Sequence, residues 1–203
     1  PYATFGNTKN QAAVGAALDT LLPLAHGTMA DLLVSMDFAM DRAKIASTLQ
    51  GLSPEMYTSF PASGLETAGI FGRTVALRQQ EIGLAPTLSA EEQGRLWNVW
   101  SRALVGRLDR DGQDGFSGYT LDTGGAVFGM DRSIGSLARA GLSLGYSSGD
   151  LSWDDPGDNG TVKGKHIGVY GDIKMDGFYV DGMAGFTRLE NSGGRYIDTP
   201  AFT

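Results

Sequence analysis

The sequence predicts an α+β chain: an N-terminal helical segment followed by about five antiparallel strands. Three observations carry this. Up to about residue 82, apolar side chains recur at spacings of three and four. From Arg95 onward, small and apolar residues alternate with a period of two, in segments that end in Gly, Asp, Asn or Ser. Glycine, at 30 of 203 residues, is about twice its ordinary usage and falls inside the strands, where it normally weakens them. A sheet that tolerates so much glycine draws its stability from closure into a barrel and from what packs against it.

Composition excludes several function classes. A net charge of −7 argues against nucleic acid, which demands a concentrated basic surface. The absence of cysteine rules out a disulfide framework and cysteine-ligated metal, and it suits a chain that crosses an oxidising periplasm. No apolar run reaches the length of a transmembrane helix. The opening P-Y-A-T-F-G-N-T has neither a basic nor an apolar region of the signal-peptide kind, so an exported protein would carry its signal upstream.

The helical part reads as three runs. Thr8 is the expected N-cap of the first, whose stripe is Val14, Ala17, Leu18, Leu21 and Leu22; Pro23 and Gly27 break it. The second carries Leu32, Leu33, Met36, Phe38, Met40, Ile45 and Leu49 and closes at Gly51; its stripe of Leu32, Leu33, Met36 and Met40 reads as a helix–helix core rather than a cofactor box. Ser53-Pro54-Glu55 starts the third, with a capping serine, proline at the first helical position and an acid in the first turn. Within it, 65–82 would span about 27 Å at 1.5 Å per residue, close to a bilayer core of about 30 Å. Yet it carries Glu66, Arg73, Arg78, Gln79, Gln80 and Glu81. Such a helix cannot face lipid, but it fits inside a water-filled barrel. Residues 83–94, with Pro86, Glu91 and Glu92, form a linker.

Strands are expected at about 95–109, 118–131, 137–152, 161–174 and 178–190. D-R-D-G-Q-D-G (109–115), D-D-P-G-D-N-G (154–160) and N-S-G-G-R (191–195) are long connections; D-R-S-I-G-S (131–136) and K-M-D-G (174–177) are tight ones. Long loops on one side and short turns on the other belong to outer-membrane barrels. The faces separate cleanly. Ala140, Leu142, Leu144 and Tyr146 oppose Arg139, Gly141, Ser143, Gly145 and Ser147. Ile167, Val169 and Ile173 oppose His166, Gly168, Tyr170 and Asp172, and Phe178, Val180, Ala184 and Phe186 oppose Tyr179, Asp181, Met183 and Thr187. A soluble sandwich would turn the apolar face inward; a membrane barrel would turn it to lipid. Periodicity alone does not choose.

W-N-V-W-S-R-A-L-V-G, G-Y-T-L-D-T-G-G-A-V-F-G-M-D, R-A-G-L-S-L-G-Y-S, G-V-Y-G and F-Y-V-D-G, in that order, resemble the start of the autotransporter β-domain of type V secretion. N-Q-A-A-V-G-A-A-L-D, L-Q-G-L-S-P-E-M-Y-T-S-F and F-G-R-T-V-A-L-R are similar to the segment that joins many passengers to that barrel. The resemblance covers about residues 9–190. It implies a monomeric transmembrane barrel of about twelve strands, located in the outer membrane and threaded by the passenger's C-terminal helix, with the passenger at the cell surface. On this reading 1–82 is the helical junction, 65–82 its pore-threading helix with Arg73 and Arg78, and 95–203 the first part of the barrel. Arg139, His166, Tyr170, Asp172 and Asp181 are its lumen-facing residues. The implied partners are outer-membrane lipid, the upstream passenger and the barrel-assembly machinery. Five strands close no barrel, about eight being the small end, so the sequence reads as a fragment whose open edges invite pairing with a second copy.

No catalytic constellation stands out, and no cofactor is implied. Gly141-Leu142-Ser143-Leu144-Gly145 matches G-x-S-x-G, but its serine sits mid-strand, not at the strand-to-helix turn a nucleophile elbow needs. His26 and His166 lack a ligand cluster and read as capping and lumenal residues. Asp109, Asp111 and Asp114 form an incomplete calcium loop, as do Asp154, Asp155, Asp158 and Asn159. Trp97, Trp100, Trp153, Tyr146 and Tyr170 are girdle or cross-strand aromatics. The favoured function is therefore a translocator. The alternatives are a soluble sandwich-like binding or adhesion module with a helical cap, and the tail of a hydrolase passenger whose catalytic residues lie upstream.

Overall fold

The computed structural model describes all residues except 40, 85–96, 114–115, 136, 155–157, 176, 196 and 200–203, and the side chains of 82–84. Four helices precede five strands: α1 (Lys9–Leu21), α2 (Thr28–Phe38), α3 (Arg42–Leu52), α4 (Ser59–Leu84), β1 (Asn98–Arg110), β2 (Tyr119–Ile134), β3 (Ala138–Trp153), β4 (Asn159–Met175) and β5 (Phe178–Gly194). The strands form one antiparallel sheet in chain order, a meander with β1 and β5 at its edges.

Thr8 caps α1 as expected, in a capping box: its hydroxyl accepts from Gln11 N while the Gln11 side chain reaches back to the Thr8 amide. The second apolar run is two helices rather than one. Asp41 separates them by accepting from the amides of Ala43 and Lys44, the signature of an N-cap, and so starts α3. Leu33 and Met36 are buried with Leu18, Ile45 and Leu49; Met40 lies outside the described residues. Residues 2–5 form a 3₁₀ turn stapled onto this bundle, with Asp19 accepting from the amides of Tyr2 and Ala3.

The third run is longer than 65–82. A 3₁₀ turn over Pro54–Thr58 leads into α4, which starts at Ser59 and passes through Pro61. Proline in the first turn removes only an amide that has no intrahelical partner anyway. The expected 83–94 linker lies almost wholly outside the described residues.

The strands run one to four residues beyond most of the expected ends. β2 continues past Asp131, its expected end, to Ile134, so Arg132, Ser133 and Ile134 are strand rather than turn, and β5 continues through Gly194. Short turns join β2 to β3 and β4 to β5. Gly135 and Gly177 take the positive φ those turns require (62° and 82°). The connections β1–β2 and β3–β4 are the longer ones.

The two faces of the sheet differ. One is covered by α4, which packs against all five strands. The other has no second layer among the described residues. In register it carries the rows Ser101–Phe128–Leu144–Ile167–Phe186 and Val99–Met130–Leu142–Val169–Ala184. Phe128, Leu144, Ile167 and Phe186 are 62%, 60%, 51% and 69% exposed. A soluble sandwich would cover such a surface; a lipid-facing barrel wall displays it. No described helix is long and apolar enough to cross a membrane, and that says nothing about strands.

Candidate functional site

The covered face is built by alternation. Along β1 the inward set is Trp100, Arg102, Leu104 and Gly106, and along β4 it is Gly164, His166, Gly168, Tyr170 and Asp172. Glycine alternates here with large side chains because α4 comes close. A Cβ on Gly106 would collide with Ile70, and one on Gly168 would sit 3.3 Å from the Phe71 ring. On the same face, Gly129 makes room for Trp100 and Gly141 for Tyr170. Ile70, Phe71, Val75, Trp100, Leu104, Val127 and Tyr170 form one apolar cluster between helix and sheet.

The polar part of the interface centres on Asp131, whose side chain is fully buried. One of its oxygens accepts from Arg78 Nε (3.3 Å) and Nη2 (3.2 Å) and from the Tyr170 hydroxyl (3.0 Å); the other lies 3.4 Å from Asn98 Nδ2. Trp100 Nε1 donates to the Tyr170 oxygen at 2.6 Å. A buried carboxylate needs a counter-charge and filled lone pairs, and both are supplied here. Glu81 adds a second pair, to Arg102 of β1. On the far side of the helix, Gln79 donates to the carbonyls of Gly171 and Gly182, and Tyr179 donates to the Gln79 carbonyl. Arg78 and Gln79 thus fasten the C-terminal turns of α4 to β2 on one side and to β4 and β5 on the other.

Midway along α4, Phe71 stacks on the His166 ring (centroids 4.8 Å apart, planes within 11°). The histidine nitrogens lie 2.8 Å from Ser147 Oγ and 2.9 Å from Thr187 Oγ1. A ring held by two hydroxyls and a stacked phenyl is a packing element with its polar atoms satisfied. The N-terminal turns meet the opposite end of the sheet, where Phe60 packs edge-on to Trp153 and lies over Gly160 and Gly193. The helix therefore runs from the long-loop end to the short-turn end, and β1 starts beside its finish.

Of the expected lumen-facing residues, His166 and Tyr170 touch α4 or its polar network. Arg139, Asp172 and Asp181 share one lateral row on the same face. Arg139 Nε and Asp172 Oδ1 are buried without a hydrogen-bond partner among the described residues. Arg78 meets none of these three; its partner is Asp131, which turn chemistry at 131–136 had hidden. Arg73 pairs with Glu66 of its own helix and is largely exposed. Ser143 lies within β3 with its hydroxyl toward the Gly168 carbonyl (3.4 Å), so G-x-S-x-G is strand packing here. Asp109 is engaged by Arg107 and Thr120, Asp114 lies outside the described residues, and among the described residues no cluster suits a metal ion. Trp100, Trp153 and Tyr170 belong to the covered face, because their strand parity points them at α4; Trp97 and Tyr146 lie on the open one.

A model of the autotransporter β-domain matches residues 99–203, which takes in all of the described sheet except Asn98. The chain belongs to the autotransporter β-domain family. This β-domain is 29% identical to the probable autotransporter YcgV of Escherichia coli over 101 residues, 49% of the chain and 11% of the relative. It is 27% identical to outer membrane protein B of Rickettsia typhi over 106 residues (50% and 6%), and 26% identical to outer membrane protein B of Rickettsia prowazekii over 114 (54% and 7%). The chain thus spans about a tenth or less of the relatives it matches. No solved structure matches it. The β-domain is a bacterial outer-membrane translocator element, and its exposed apolar rows have the composition of a lipid-facing wall.

Proposed function

We propose that this β-domain supports secretion and anchoring of a passenger that precedes α4, and that α4 is the segment held in the pore when export is complete. One observation carries the reading: α4 lies along the inner face of the family-matched sheet from its long-loop end to its short-turn end, fixed by Arg78 on buried Asp131. Further strands would close the wall around it; about twelve in all, as the family resemblance implies, leave a lumen wide enough for one helix. The helical unit of residues 1–58 then sits at the outer mouth, docked on the strand ends. Arg195 donates to the carbonyls of Leu52 and Ser53, Lys44 pairs with Asp198, and the Ser117 amide donates to Glu55. Barrel-assembly machinery and the surrounding lipid are the expected partners. The work is mechanical and electrostatic, with no catalytic step.

The test is surface display. Cells making the full-length protein with Arg78→Glu would bring two carboxylates together in a buried site, and protease-accessible passenger should fall severalfold while a Lys9→Glu control displays normally. Normal display with Arg78→Glu contradicts the proposal.

A further inference from the structure

The open face of the sheet changes character one row beyond its apolar wall. Ile167 and Phe186, paired across β4 and β5, are both exposed. The next outward pair toward the long loops is Lys165–Arg188, and the one after it is Lys163–Glu190. Each step is two residues, about 6.6 Å along the strand. Lys165 and Arg188 are 60% and 73% exposed, and both turn to the single carboxylate of Glu190, at 2.9 and 3.7 Å. Three cations share one anion there, leaving an excess of two positive charges directly above acyl-sized apolar surface. In the two rows that hold these cations, β1–β3 contribute Ala103, Ala126 and Tyr146, then Val105, Gly124 and Ser148, none of them charged; one row further out, Arg107 is held by Asp109 and Asp122, and Asp150 adds a negative charge beside Thr161. The excess is confined to β4 and β5 in a chain whose net charge is −7.

We propose that Lys163, Lys165 and Arg188, above Ile167 and Phe186, form a binding site for a phosphorylated lipid of the outer leaflet. The cations take the phosphate and the two apolar side chains take the acyl chains. Exposed cations at a membrane surface favour anionic headgroups, and the apolar row beneath distinguishes a lipid from free phosphate. The site orients this side of the barrel toward the anionic leaflet. The inference rests on the orientation proposed above, with the long loops outward.

The test uses purified full-length protein in phosphatidylcholine vesicles containing either diphosphorylated lipid A or lipid A stripped of both phosphates, with retained lipid counted by native mass spectrometry. Selective retention of the phosphorylated form is expected, falling about fivefold for each cation removed along the series K163Q, K165Q, R188Q. Glu190→Gln should raise retention, and Arg107→Gln should leave it unchanged. Equal retention of both lipids, an unaffected triple variant, or full displacement by an equal concentration of inorganic phosphate would overturn the site. Passenger display, measured on the same triple variant, should stay normal. Normal display without lipid selectivity sinks the lipid site alone, whereas normal display with Arg78→Glu sinks the placement of α4 in the pore.

Discussion

Arg78 of α4 places two guanidinium nitrogens on one oxygen of Asp131, a carboxylate that β2 buries completely. Pairs of this kind contribute modestly when whole and cost much when halved, because the remaining charge has no water to turn to. Asp131→Leu should therefore lower the stability of the full-length protein in detergent by about 3–5 kcal/mol, read from its thermal or urea transition. Arg78→Met with Asp131→Leu together should cost clearly less than the sum of the single changes, since the two sites share one interaction.

The Tyr170 hydroxyl joins two groups: it donates to Asp131 and accepts from the Trp100 indole. Tyr170→Phe strands a buried N–H and removes one carboxylate partner. The expected loss is about 1–3 kcal/mol, with a shift in Trp100 fluorescence as the indole environment changes. A Tyr146→Phe control, on the open face, should change neither.

Glycine on the inner face holds space for the helix. Gly106→Val should force Ile70 off β1 and cost about 1–3 kcal/mol by overpacking. Gly124→Val, where nothing lies near, is the matched control. The difference between the two transitions measures how tightly α4 sits on the sheet.

Docking of the helical unit at the mouth is separable from α4. Arg195→Ala removes the donor to two carbonyls, and its ring contact with Tyr57. Amide exchange over 42–58 should rise while exchange over 67–79 stays protected. Equal loosening of both segments would mean that the mouth contacts hold the helix as well.

At the N-terminus, burial and then the hydrogen bond to Asp37 push the Tyr2 phenol upward from 10.0. A group whose folded pKa is raised stabilises fully below its unfolded value and loses that contribution as pH climbs toward the folded one. The helical signal of residues 1–58 should thus hold to about pH 10 and weaken above it. Tyr2→Phe removes that slope, read by circular dichroism across the alkaline range.

Much of the wall was legible in the sequence, because alternation at period two leaves few registers that put Leu142, Leu144, Ile167, Val169 and Phe186 on one side. The Thr8 cap and the charged 65–82 helix were legible for similar local reasons. Asp131 was not. D-R-S-I-G-S has turn chemistry, and only the pairing of β2 with β3 extends the strand through it and turns that carboxylate inward. Arg78 was singled out, but its partner could be found only from that register. Tyr2 carried no signal at all, since its burial depends on Asp37 and Leu33, more than thirty residues away. Asp41 as an N-cap was readable and is the signal that divides the second run.

In the assembled protein α4 should lie against the inner face of β3–β5. A photoreactive benzoyl-phenylalanine at position 71 of the full-length protein in cells tests it most directly, since Phe71 borders Gly145, His166, Gly168 and Gly185. Irradiation should give an intramolecular cross-link whose peptides map to 143–147, 166–168 or 183–187. Cross-links only to segments upstream of Ser59 or to other proteins, with none to these strands, would contradict the placement of the helix.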